Sequence, residues 1–120
     1  MAKVITDNLL DGGLDAIATC VEMNVCAGQP TSFADIAARS LAAVAIDSGD
    51  FAKANGDTSG RKVTVAQQAN ISITSSGTAD HVAIDDGVDD YVVTTCTSQG
   101  LTAGGTVTVP AHDHEISDPA

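Results

Sequence analysis

From Arg61 onward, apolar and polar residues alternate in short runs cut by Gly, Asp and Ser: RKVTV, NISIT, ADHVAID, YVVTTCT and GGTVTV. A period of two with β-branched apolar positions is the pattern of antiparallel strands joined by hairpins. It predicts strands over Arg61–Ala66 with Val63 and Val65 inward, Asn70–Thr74 with Ile71 and Ile73 inward, and Ala79–Asp85 with Val82 and Ile84 inward. Tyr91–Thr97 is apolar on both faces and reads as a central strand, followed by a loop over Ser98–Gly105. Thr106–Val109 returns as a strand with Val107 and Val109 inward, Ala111–Ile116 reads as a final edge strand, and Asp118-Pro119-Ala120 ends the chain. Ser75-Ser76-Gly77 and Asp86-Gly87 supply turns.

Before Arg61 the period changes. Leu10, Leu14, Ile17 and Val21 recur at helical spacing and predict a helix over residues 6–19, which Thr6 or Asp7 can cap. Gly12 and Gly13 weaken it by about 1 kcal/mol each. Cys20–Ala27 alternates, with Val21, Met23 and Val25 on one face and Glu22 and Asn24 on the other, so a half-buried strand is expected before the break at Gly28-Gln29-Pro30. Thr31-Ser32 opens a second short helix with Phe33, Ile36, Ala37 and Leu41 on one face. Its first turn holds Asp35, where the helix dipole favours a negative charge. Leu41–Ile46 is an apolar run of strand length, and the polar, Gly-rich stretch Asp47–Gly60 reads as a loop or arm anchored by Phe51. The expected fold is one mainly β domain over residues 1–120. A helix/strand part spans 1–46, the loop or arm 47–60, and an antiparallel sheet 61–120, forming a sandwich or barrel with one or two short N-terminal helices; the alternative is an α+β arrangement.

Composition narrows the class of partner. Sixteen acidic residues against five basic ones give a net charge of −11, which argues against nucleic acid and anionic membrane, since phosphate binding needs clustered Lys and Arg. The aromatic residues are Tyr91, Phe33 and Phe51, with no Trp. Aromatic anchors of small tight interfaces are therefore scarce, and strong binding would need a broad, repeated or symmetric contact. Cys20, Cys26 and Cys96 are an odd number of cysteines. On one strand the first two would stand about 20 Å apart, beyond the ~7 Å that a disulfide spans, so free buried thiols in a reducing compartment are expected. The start MAKVITDNLLDGG lacks the apolar core of a secretory signal, and no apolar run approaches the ~18 residues of a membrane helix. Synthesis in a cytoplasm is expected.

Candidate chemistry is thin. In His112-Asp113-His114-Glu115 two imidazoles share one strand face with Ile116 and can ligate a metal, but a site needs a third ligand, and His81 is 31 positions away. A polar edge strand is the better reading. Asp85, Asp86, Asp89 and Asp90 crowd one loop and offer hard oxygen ligands, yet their spacing is not that of an EF-hand, and a hydrated turn is favoured. No phosphate loop follows Gly12-Gly13, no G-x-S-x-G occurs, and no local motif pairs a cysteine with a histidine. Arg61-Lys62 is the only adjacent basic pair and could touch an acidic partner. No catalytic, cofactor-binding or metal-binding residue is assigned, and no enzymatic activity is expected.

The order of blocks carries a resemblance. Leu9, Leu10, Leu14 and Asp15 precede a strand closing on Cys26, then Pro30-Thr31-Ser32-Phe33-Ala34 and Ser59-Gly60-Arg61-Lys62-Val63-Thr64-Val65. The run from Gly77 through His81 to Gly87, Gly104-Gly105-Thr106-Val107-Thr108-Val109 and Ile116-Ser117-Asp118-Pro119 follow. In this order the chain resembles a group of small virion structural proteins of tailed bacteriophages, encoded close to the major capsid protein. The resemblance spans nearly the whole chain and carries over no functional residue. It implies a capsid decoration (cement) protein on the virion surface, made in the host cytoplasm, that touches the major capsid protein and copies of itself. A tail, connector or fibre-associated protein is the alternative, and a metal- or glycan-binding β-module the further one.

Overall fold

The computed structural model describes residues 6–57 and 59–116. Residues 1–5 and the expected chain end Asp118-Pro119-Ala120 lie outside them. The chain is mainly β, with antiparallel sheets and two short helices. In order the elements are α1 (Asp7–Ile17), β1 (Glu22–Cys26), α2 (Phe33–Arg39), β2 (Ser40–Ala45), a 3-10 turn (Ser48–Asp50), β3 (Phe51–Asn55), β4 (Arg61–Val65), β5 (Gln68–Ser72), β6 (Gly77–Asp85), β7 (Tyr91–Leu101), β8 (Thr106–Val109) and β9 (His112–Ile116). They form three open sheets: four strands in the order β2-β1-β6-β7, three in the order β3-β4-β9, and the pair β5-β8.

The four-stranded sheet is covered on both faces. Val25 stands opposite Ala42 and Val82, and Met23 opposite Val44 and Ile84. These side chains meet Ile71, Val107 and Val109 of the β5-β8 pair in the main core. On the other face Cys26 and Ala83 pack under Ile36 and Phe33 of α2, with Val93 beside them. At seven residues α2 is too short to be stable alone. Side chains cap its start: Ser32 Oγ accepts the Asp35 N–H at 3.1 Å, and Asp35 accepts the N–H of Thr31, the residue before the cap, at 3.0 Å. Arg39 closes the helix by donating to Asp35 one turn back at 2.7 Å.

The three-stranded sheet lies against α1. Val63 pairs across to Lys53 and His114, and Val65 to Phe51 and His112, so these side chains share one face. Leu10 and Leu14 of α1 are buried. The helix is further held by ion pairs: Arg61 Nε lies 2.8 Å from Asp11, and Lys53 Nζ 2.6 Å from Asp15. Gly13 lies close to this contact: a Cβ there would stand 2.9 Å from Cδ1 of Ile116, the far end of a side chain that would have to shift.

Four expectations are corrected. The Thr6 side chain makes no cap; only its carbonyl enters the helix, accepting from Leu9 and Leu10. The stretch Asp47–Gly60 is not a loop, because Asp47 and Asp50 cap each other around a 3-10 turn and β3 follows. Residues from Arg61 onward do not make one sheet; β6 and β7 join β1 and β2 of the N-terminal part instead. Finally, β7 is an edge rather than a central strand, and it runs on through the expected loop to Leu101.

Candidate functional site: the free edge of β7

A strand end to end with its partner on one side only leaves a row of unpaired N–H and C=O groups on the other. β7 is the longest strand described, 11 residues, and pairs only with β6. Its sequence, YVVTTCTSQGL, holds no charged residue, and Thr95–Gly100 are exposed. Beside it a trough of about 540 Å³ separates β7 from the start of β9, lined by Val82, Thr94, Cys96, Val109, Pro110 and His112. A second hollow of about 260 Å³ shares Val82, Cys96, Val109 and Pro110 with it and reaches Val25 and Val107 on the inner sheet faces. The gap between the two packed sheets thus opens along β7.

The edges of β2, β3, β8 and β9 are blunted, while β5 is an uncharged edge of only five residues, followed by a bridge from Ile73 to Ala42 of β2. On β2 the Leu41 carbonyl already accepts the N–H groups of Thr74 and Ser75 at 2.8 and 3.2 Å. β3 carries Lys53, β9 carries Asp113 and Glu115, and β8 is four residues long and followed by Pro110. Charges, short length and proline are the usual means of protecting an edge from another chain. β7 has none of them.

The histidine pair of β9 is arranged differently from a polar edge. The rings of His112 and His114 lie edge to face with centroids 5.2 Å apart, and both Nε2 atoms are buried without a hydrogen-bond partner. His112 Nδ1 stands 3.3 Å from the Pro110 carbonyl. Burial pushes the His114 pKa down. His81 sits in another sheet, 2.8 Å from Asp80. Among the described residues neither member of the pair belongs to a group of three metal-ligating side chains; the one such group is Asp86, Asp89 and Asp90. There Asp86 Oδ1 already accepts the N–H groups of Val88, Asp89 and Asp90 at 2.9, 3.1 and 3.2 Å. These bonds hold its carboxyl below the usual range. The loop is a turn tied by its own aspartate.

All three cysteines are free; Cys20 and Cys26 are buried and Cys96 is exposed. Burial pushes the Cys20 and Cys26 thiols up to about 11 and also raises Cys96, the opposite of what an activated nucleophile needs. Arg61 and Lys62 are both paired with the chain's own acids. Arg61 bonds Asp11 and Asn55, and Lys62 reaches Asp57 at 2.6 Å and Asp113 at 3.3 Å. Among the described residues every lysine and arginine is paired with an aspartate of the same chain. Two polar groups are corrected: Asn24, expected on the polar face of a half-buried strand, and Asp85, expected in a hydrated turn, are 3% and 5% exposed, on the α2 side of the four-stranded sheet. The signal available was Asp85 two residues before Gly87, an aspartate placed to bond its own turn. Comparison with protein-family profiles, with curated protein sequences and with solved structures finds no match for this chain.

Proposed function

We propose that this chain is a structural protein of a tailed-phage virion, of the capsid decoration type, bridging neighbouring subunits of the major capsid protein and touching copies of itself. The observation that supports the reading is the free edge of β7: an 11-residue, uncharged strand in a chain of net charge −11. Such an edge takes a strand from a neighbouring chain, main chain to main chain, with little demand on side-chain chemistry. Repetition of that contact over a shell lets a modest bond stabilise the assembled state. The acidic remainder of the surface keeps the free protein soluble at high copy.

Quantitative mass spectrometry of purified particles, with heads and tails separated, tests this. High copy on heads is expected, together with loss of head binding by Thr97→Asp, which puts a charge on the edge. A few copies on tails, or none on any particle, overturns the decoration reading.

A further inference from the structure

A cleft of about 240 Å³ lies between α2 and the end of the four-stranded sheet. Val21, Phe33 and Ile36 form its apolar wall, and Glu22, Asn24 and Asp85 its polar floor. The floor is built around one amide. Asn24 Nδ2 donates to Glu22 Oε1 at 3.0 Å and to Asp85 Oδ2 at 3.3 Å, while Ser40 Oγ fixes the amide by donating to Asn24 Oδ1 at 2.9 Å. The other Asp85 oxygen accepts the Gly87 N–H at 2.9 Å. One neutral side chain therefore brings two carboxylates to the same opening.

A buried carboxylate beside other acids is costly to keep charged unless a cation joins them, and here Asp85 is buried while Glu22 stands exposed next to it. Burial raises the Asp85 pKa, and the charges of Glu22 and Asp86 act in the same direction. No lysine or arginine among the described residues pairs with Glu22, Asp85, Asp86, Asp89 or Asp90; those described are engaged at Asp35, Asp11, Asp15, Asp57 and Asp113. The cleft holds a single long side chain rather than a drug-sized ligand, which needs roughly 300 Å³ or more. Its fittings suit a flat cation: two carboxylates for a forked donor and the apolar wall of Val21, Phe33 and Ile36 beside them.

We propose that this cleft receives the guanidinium group of an arginine side chain presented by a partner protein. Charge complementarity selects that occupant, since the mouth is acidic and lacks a cation of its own. The proposal stands apart from the phage reading, because any partner with a protruding arginine would serve.

The test is a titration of the ¹⁵N-labelled full chain with N-methylguanidinium, with n-propylammonium and sodium chloride as parallel arms. Saturable shifts of the Asn24 side-chain amide and the Gly87 N–H are expected with methylguanidinium, and about tenfold weaker binding with Glu22→Gln or Asp85→Asn. The alkylammonium should bind more weakly than the guanidinium. Glu22 is exposed, so Glu22→Gln keeps the test sound if Asp85→Asn does not fold. The absence of shifts, equal shifts in sodium chloride, or binding unchanged in both variants overturns the proposal. An Arg-Gly-Gly peptide that competes with methylguanidinium supports a protein side chain as the source, whereas a peptide that leaves the signals unmoved overturns it.

Discussion

At the scale of the residue, the chain spends its few large side chains where one layer meets another. Leu14 is fully buried on α1, the helix that lies against the three-stranded sheet, and Val63 and Val65 of β4 are also inaccessible. Truncation removes contacts that α1 cannot replace, because Gly12 and Gly13 leave it a weak helix without tertiary support. Leu14→Ala should therefore cost about 2–5 kcal/mol, read as a lower urea midpoint. A midpoint within error of wild type would mean that α1 is not docked. His114 makes a prediction of direction. Its folded pKa lies below 6.5, so the unfolded chain takes up the proton first as pH falls. The stability it contributes is complete above about 6.5 and is lost as pH drops below that value towards the folded pKa. Urea unfolding at pH 7.5 and 5.5 should show a loss for wild type that shrinks in His114→Gln; equal losses in both proteins would refute the assignment. The carboxylates held low by ion pairs or hydrogen bonds, such as Asp11 and Asp35, act in a lower window, below about 3.8.

At the scale of the element, the sequence was readable where period and burial agree and misleading where they part. Val63, Val65, Ile71, Val82, Ile84, Val107 and Val109 are all buried, as their alternation predicts. β3 was hidden because Phe51 is its one part-buried residue and the next position on that face is the exposed Lys53, whose charge finds Asp15 on α1, 38 residues away in the chain. No local pattern announces a partner that distant. β7 was misplaced for a different reason. Val92 packs into the main core and Val93 against the α2 layer, so both faces are covered while the flank stays open. Two-faced apolarity reports the covering of faces and says nothing of the edge. The polar floor of the acidic cleft was likewise out of reach, since Asn24 and Asp85 meet across 61 residues. Thiol chemistry checks this arrangement. Cys96 on the open strand should react with a disulfide reagent in the native state, while Cys20 and Cys26 should react only on unfolding. Three thiols reacting at one rate would contradict the burial of β1.

At the scale of the whole molecule, shape and charge act against each other at the edge of β7. The described chain is elongated, 55 × 24 × 24 Å, and its described cations are all spent on its own acids. What remains outward is a net charge of −11, so two free copies repel over most approaches. Screening sets the range of that repulsion. The Debye length is about 30 Å at 0.01 M salt, longer than the molecule is wide, and about 8 Å at 0.15 M. At low salt the acids on flanking surfaces therefore oppose pairing even though β7 itself is neutral; at higher salt only charges at the edge matter, and β7 has none. Sedimentation velocity of the purified chain should accordingly show monomer at 0.01 M salt and rising association at 0.15 M and above. Thr97→Asp should keep the chain monomeric throughout, because an antiparallel β7 pair brings a new negative charge from each copy to the shared edge. Association that falls with salt would instead point to ion pairs between copies, and association indifferent to Thr97→Asp would place the contact on another surface. The same balance bears on any other partner of the open edge: at low salt repulsion between free copies holds the edge in reserve, and a partner presenting an uncharged or basic strand meets no such barrier.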